Sequence, residues 1–235
     1  MNSAKNTPRY LGAAFLLVAV AGLVSGLFLA PVDMLPASVS GNISDTMTII
    51  ANNALQMRAS IVGEMIAAIG IVLLGVLLFV TLKKQNGKIA LVALGLYLIE
   101  AALLAVREIL VFSLLRISQE SVIAGHPAYL QTLGNLFYES QSFGYSLHMV
   151  SFAVGATLFY YLFFKSGYIP RVLSLWGLIA APLAFIGTLF VLFGYDVPIV
   201  VFLPNLPFEL TIGVWLIVKG FNSSAIVSES AKTDN

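Results

Sequence analysis

"LYLIEAALLAVREILVF", residues 96–112, sets the problem: an apolar run that carries three full charges, Glu100, Arg107 and Glu108. On membrane-insertion scales a charge at mid-helix costs about 2.5–3.5 kcal/mol, and a large apolar residue returns only about 0.3–0.6 kcal/mol. Three charges nearly cancel the apolar gain of the whole segment. If it crosses a membrane it depends on neighbours and faces inward. Glu100 and Arg107 are two helical turns apart and share a face with Tyr97 and Leu104. Glu108 lies about 100° around the helix and nearer the outer interface, where it is expected to reach water.

The surroundings make the membrane reading secure. The chain has 235 residues, 59% hydrophobic and 10% charged, with a mean hydropathy of +0.96. Soluble domains are about a quarter charged, so this composition cannot cover a water-facing surface. A net charge of +1 gives no reason to expect nucleic acid. Cysteine is absent, which excludes disulfides, thiolate metal sites and cysteine nucleophiles. Near the N-terminus Lys5 and Arg9 precede an apolar run of about 20 residues, longer than the usual 7–15-residue signal core. It is read as a retained first helix.

Apolar runs of spanning length fall at about 10–31, 57–82, 88–115, 143–165, 171–194 and 198–219. The expected fold is all-α, a single six-helix transmembrane domain over 1–221, with a disordered cytoplasmic tail over 222–235. Basic turns, "KKQNGK" and "KSGYIPR", join the second span to the third and the fourth to the fifth. The longer outer connections, about 32–56 and 117–142, each have room for a short interfacial helix. Lys5, Arg9, Lys83, Lys84, Lys88, Lys165, Arg171, Lys219 and Lys232 fall on one side of the alternation. By the positive-inside rule that side, with both termini, is cytoplasmic. Gly22 and Gly26 in the first span match a small-xxx-small spacing for close helix packing inside the chain. Pro204 and Pro207 interrupt the last span.

Other ionisable residues sit at depths matching the opening segment. Glu64 lies level with Arg107 on the antiparallel second span, His148 in the outer half of the fourth, and Glu209 after the prolines of the sixth. Residues of this kind inside a membrane mark functional sites by default, so Glu64, Tyr97, Glu100, Arg107, His148 and Glu209 are the candidate ligand or proton sites. Structural roles compete: a Glu64–Arg107 pair locking two helices, a protonated Glu209 bonded to backbone freed by the prolines, a hydrogen-bonded core His148. Glu100 is too far from Arg107 along the axis for a simple ion pair, which leaves protonation and partners across the bundle. A lone membrane histidine gives no metal-ligand spacing. Ser146 and His148 point to opposite sides of a helix, so no serine–histidine pair forms. No catalytic residue, metal or cofactor is assigned.

The turn formed by Ser166, Gly167, Tyr168, Pro170 and Arg171, the Trp176–Ile179 helix start, and the run from Glu209 through Trp215 to Gly220 carry a resemblance. Together with "LLRISQE" and the helix around Glu64, they make the chain similar to the bacterial membrane-protein family catalogued as domain of unknown function 4386. The resemblance covers nearly the whole chain. It implies a six-helix inner-membrane protein and no established activity. Relatives often carry arginine three residues before the third-helix glutamate, where this chain has Tyr97.

These residues suggest a membrane protein with a polar pocket opening toward the outer face, which binds a small or amphiphilic ligand as sensor, carrier or accessory protein. One alternative is a small proton-coupled transporter using Glu100 and Glu209. Another is an intramembrane enzyme acting on lipid with His148 and a carboxylate as acid and base. Membrane lipids are the expected partners; the sequence does not set the oligomeric state. The lysine and arginine bias predicts that a cysteine replacing Lys84 is shielded from a membrane-impermeant thiol reagent in intact cells, while one replacing Asp45 is labelled. The reverse pattern would overturn the topology.

Overall fold

The computed structural model describes residues 3–33 and 42–222. The expected disordered tail, from residue 223 onward, lies outside them, as do the side chains of Lys5, Asp33 and Lys232. The elements are α1 (Ser3–Asp33), α2 (Ile43–Asn52), α3 (Ala54–Leu82), α4 (Gly87–Ile123), α5 (Ala128–Ser166), α6 (Arg171–Leu192), a 3-10 turn (Ile199–Val201) and α7 (Asn205–Val218). There is no strand among the described residues. Six helical segments are long and apolar enough to cross a membrane, with α2 the exception and the 3-10 turn counted with α7. The protein is an all-helical, multi-pass membrane protein.

The spans form a ring in the order α1, α3, α4, α5, α6, α7, with α7 returning to α1. Its weakest seam is between α6 and α7. Gly220 lies against Pro8, which brings the first and last spans together at one end, the terminal face. The α5–α6 turn belongs to this face too. Gly167 ends α5 in the left-handed region at φ 67°, and the Ser166 hydroxyl accepts from Tyr168 N at 3.2 Å. Phe221 stacks on Tyr168 with ring centroids 5.0 Å apart. Asn222 donates from its backbone to Tyr168 O at 2.9 Å and from its side chain to Gly167 O at 2.7 Å. The residues just past the last span therefore clasp the α5–α6 turn, and Ser166 and Gly167 serve the fold there.

The distal half departs most from expectation. The 117–142 connection holds no separate short helix: α4 runs on to Ile123, and α5 begins at Ala128. At about 1.5 Å per residue, the 37 and 39 residues of α4 and α5 span about 55 Å, well over a hydrocarbon core of about 30 Å. Their distal ends therefore form a polar hairpin, which reads as loop on hydropathy alone. A second apolar core of Ile50, Met57, Val111, Leu114 and Leu115 holds this region together. The first connection does carry a helix, α2, capped by the Asn42 side chain on Ser44 N at 3.1 Å and packed on α4 and α5. His126, at φ 60° in the turn, sits between Thr48 of α2 at 3.4 Å and Ser121 of α4 at 3.3 Å.

One local expectation is also corrected. Gly22 and Gly26 face open space; the buried residue between them, Ser25, meets Gly63 of α3 instead. Close approach of α1 to α7 falls to Gly12 and Gly213, where a Cβ on Gly12 would stand 2.5 Å from the Gly213 carbonyl oxygen. The last span is interrupted where expected: the 3-10 turn ends at Val201 and α7 starts at Asn205, with Pro204 before it and Pro207 in its first turn, where a missing N–H leaves no intrahelical bond unmade.

At the centre of the ring Tyr97 of α4 is 2% exposed and packs edge-on to Phe159 at 5.2 Å. Glycines on both flanking helices make room for it. A Cβ on Gly75 of α3 would stand 3.0 Å from Tyr97 Cβ, and one on Gly155 of α5 would stand 2.9 Å from its ring. Gly155→Ala is therefore expected to lower stability by about 1–3 kcal/mol, the usual range for overpacking. Thermal unfolding in detergent measures this, and Tyr97→Leu in the same chain should recover part of the loss. Two independent, additive losses would show that the glycine does not make room for the ring.

Candidate functional site

α4 and α5 pack along their length, and their shared seam gathers most of the ionisable groups. Arg107, 5% exposed, is the centre of one cluster. Its Nη1 donates to Glu108 Oε1 at 3.0 Å, its Nη2 donates to Gln141 Oε1 at 2.9 Å, and its guanidinium lies 5.1 Å from the centroid of the Tyr145 ring. Gln141 Nε2 in turn donates to Ser142 Oγ at 2.9 Å. The cation is thus neutralised by a buried carboxylate, oriented by an amide and covered by an aromatic face. Each of these strengthens when water is excluded.

This arrangement replaces two expectations. Glu108 does not reach out to water: it is 3% exposed and is the ion partner of Arg107. The Glu64–Arg107 lock does not form, because the guanidinium is turned toward the α4–α5 seam, while Glu64 stands half-buried on α3. Depth matched these two residues, but direction around the helix separated them.

Glu100, two turns away toward the terminal face, is 3% exposed. Its nearest charged-group contact is across the seam: Oε1 lies 4.0 Å from His148 Nδ1, close but beyond a hydrogen bond. Its Oε2 has no hydrogen-bond partner. His148 also meets the Tyr145 ring at 5.3 Å between centroids, so Tyr145 touches both Arg107 and His148. Glu209, half-buried on α7, lies close enough to Glu100, Tyr97 and Tyr160 for its charge to act on all three. The Tyr160 hydroxyl, on a residue 1% exposed, has the Tyr97 hydroxyl as its side-chain neighbour. Tyr160 and Trp176 both pack edge-on against Phe208, and Trp215 packs on the main core.

Beside this stratum, between α5, α6 and the approach to α7, lies a cleft of about 380 Å³. Its walls include Tyr145, Met149, Val191, Phe202 and Leu203. Its size falls within the range of about 300–1,000 Å³ common for small-molecule sites. Tyr145 belongs to both cleft and cluster. Among the described residues no three acidic or histidine side chains come together to hold a metal ion.

Reading the sequence missed Gln141, Tyr145, Tyr160 and the cleft. Gln141, Tyr145 and His148 follow an i, i+4, i+7 spacing that marks one helix face, but the fourth span was expected to begin at 143. Extending the period one turn upstream would have found Gln141.

The cluster predicts a coupling. Breaking a buried ion pair from one side typically costs about 3–5 kcal/mol, because the other charge is stranded. Arg107→Gln and Glu108→Gln should each destabilise the detergent-solubilised protein on that scale, with the double variant far less affected than their sum. Thermal melts of the three proteins check it, and strict additivity would show that the pair makes no energetic contact.

Residues 10–220 match the family described as Domain of unknown function (DUF4386). No curated protein and no solved structure matches the chain. The match takes in the membrane-crossing helices from residue 10 onward, the α5–α6 turn and the charged seam, and the chain belongs to the DUF4386 family.

Proposed function

We propose that this membrane protein binds a small amphiphile, with the apolar part of the ligand in the α5–α6–α7 cleft and its polar part toward the buried stratum at Arg107, His148 and Glu100. The observation that carries this reading is the double membership of Tyr145, which lines the cleft and lies against both Arg107 and His148. An apolar cavity bordered by a few convergent polar groups is the usual form of a ligand site. The rim residues Leu203 and Ile199 are exposed on the outer wall of the ring, so the cleft opens sideways, where acyl chains run.

The terminal face carries Arg9, Lys83, Lys84, Lys88, Lys165, Arg171 and Lys219, and the distal half carries Asp45, Glu120, Glu139 and Asp196. This asymmetry supports a bacterial inner-membrane protein with both termini in the cytoplasm, and it turns the cleft toward the outer leaflet. A sensor, carrier or accessory role fits such a site. A proton-coupled transporter is the second reading, favoured by one observation: Glu100 is buried with no cation in hydrogen-bonding contact.

Val191 and Leu203 line the cleft at its exposed rim, so a tryptophan at either position fills it without entering the core. Mass spectrometry of protein purified in mild detergent should show a co-purifying amphiphile in the wild type that is depleted in Val191→Trp and Leu203→Trp. Equal retention in the filled variants would remove the cleft from the function.

A further inference from the structure

The geometry points to a cationic head group: the stratum behind Tyr145 is built to receive a protonated amine, with Glu100 as its counter-ion. This rests on the amphiphile reading and names the ligand's chemistry.

The charge balance is the first argument. Arg107 is neutralised by Glu108 at 3.0 Å, held by Gln141 and covered by Tyr145. The other arginines of the distal half are held elsewhere: Arg58 lies over Phe112 at 5.7 Å, and Arg116 lies 3.9 Å from Glu120. Among the described residues, lysines stand only toward the terminal face. Once the Arg107–Glu108 pair cancels, Glu100 and Glu209 remain. An anionic head would meet two carboxylates and a cation already neutralised. With a neutral head Glu100 has no counter-charge and is buried only by taking up a proton, whereas an ammonium lets it stay ionised.

Independent of the carboxylates, the polar groups around them are also poised for a donor. The Tyr160 hydroxyl, 1% exposed, has only the Tyr97 hydroxyl beside it, and His148 Nδ1 has no hydrogen-bond partner, while the orphaned donor Arg107 Nε belongs to the Glu108 end of the seam; buried polar atoms in native proteins rarely go unpaired. An ammonium carries three donors and no acceptor. It can satisfy Glu100 Oε2 and leaves further donors for neighbouring acceptors, and the faces of nearby tyrosines add cation–π attraction. Tyr145 of the cleft wall is 5.3 Å from His148 between ring centroids, and His148 Nδ1 is 4.0 Å from Glu100 Oε1, so three side chains in line connect the cleft wall to the carboxylate. A primary amine on an alkyl tail fits both halves of the site. Binding is non-covalent: the ammonium and carboxylate form an ion pair, and no bond is made or broken.

Dodecylamine, 1-dodecanol and dodecanoate share one tail and differ in head-group charge; an alkyl amine, with a pKa near the lysine value of about 10.4, is charged at neutral pH. Each is titrated into the full-length protein in a mild neutral detergent, with the apparent Kd taken from the shift in unfolding temperature. Dodecylamine is expected to bind about tenfold or more tightly than dodecanol, the scale of a charge-assisted hydrogen bond, and dodecanoate most weakly. Glu100→Gln should erase the amine's advantage over dodecanol, and Val191→Trp should weaken all three. Should Glu100→Gln fail to fold, the wild-type ranking decides alone. Equal affinities in the wild type, tightest binding of dodecanoate, or an amine preference that survives Glu100→Gln overturns the cationic head group, while loss of binding in Val191→Trp still supports the cleft. If Val191→Trp changes none of the three, the cleft reading falls and takes this assignment with it.

Discussion

A charge carried into hydrocarbon has to find its counter-charge inside the protein, and the architecture follows from that need. Arg107 is the residue on which it acts most sharply, because a guanidinium cannot shed its proton. It must be met by a carboxylate and by acceptors of fixed geometry. Glu108 on the same helix supplies the charge, and Gln141 and Tyr145 on α5 supply the rest. The pair forces α4 inward and makes α5 its obligatory neighbour. The α4–α5 seam is accordingly the most extensive contact in the ring, and the distal hairpin prolongs it beyond membrane thickness.

The remainder of the ring is arranged around that seam by size. Tyr97 occupies the centre because Gly75 and Gly155 yield to it from either side. Phe159, Tyr160, Phe163 and Phe208 fill the layers toward the terminal face as fully buried aromatics. The seam between α6 and α7 is the loosest. α7, with 14 residues, is about 21 Å long at about 1.5 Å per residue, short for a bilayer, and it is preceded by a 3-10 turn. A cleft forms where packing is thinnest, beside the wall where polarity is greatest.

How much of this could be read from the sequence depended on the kind of signal. Span number and the all-helical class follow from long apolar runs, whose physics is one-dimensional: enough consecutive apolar residues to cross the hydrocarbon. The same signal misjudged 117–142, since "ISQESVI" and "QTLGNLFYESQ" are helical by tertiary packing while being too polar to register as a span. Depth along an axis was legible for Glu64, Glu100, Arg107 and His148. Azimuth was not, because rotation of one helix against another is set by side chains on both. Glu64 was therefore matched to Arg107 by height alone, and Glu108 was sent to water although one turn of context places it in the core. Tyr97 was recognised as a departure from relatives, but the glycines that accommodate it lie 22 and 58 residues away along the chain and carry no local sign of their purpose.

The meeting of α1 with α7 at Gly12 and Gly213, beside the clasp of Phe221 and Asn222 on the α5–α6 turn, has a consequence in time. α1 leaves the ribosome some 200 residues before α7, the span it packs on, so this contact is far from local along the chain. Until then α1 has α3 for a partner on one side and lipid on the other, and the wall that α7 supplies to the ring is missing. The charged seam can assemble early, since α4 and α5 are consecutive, but it does so in a structure still open along one edge. Translation through Asn222 is what shuts it.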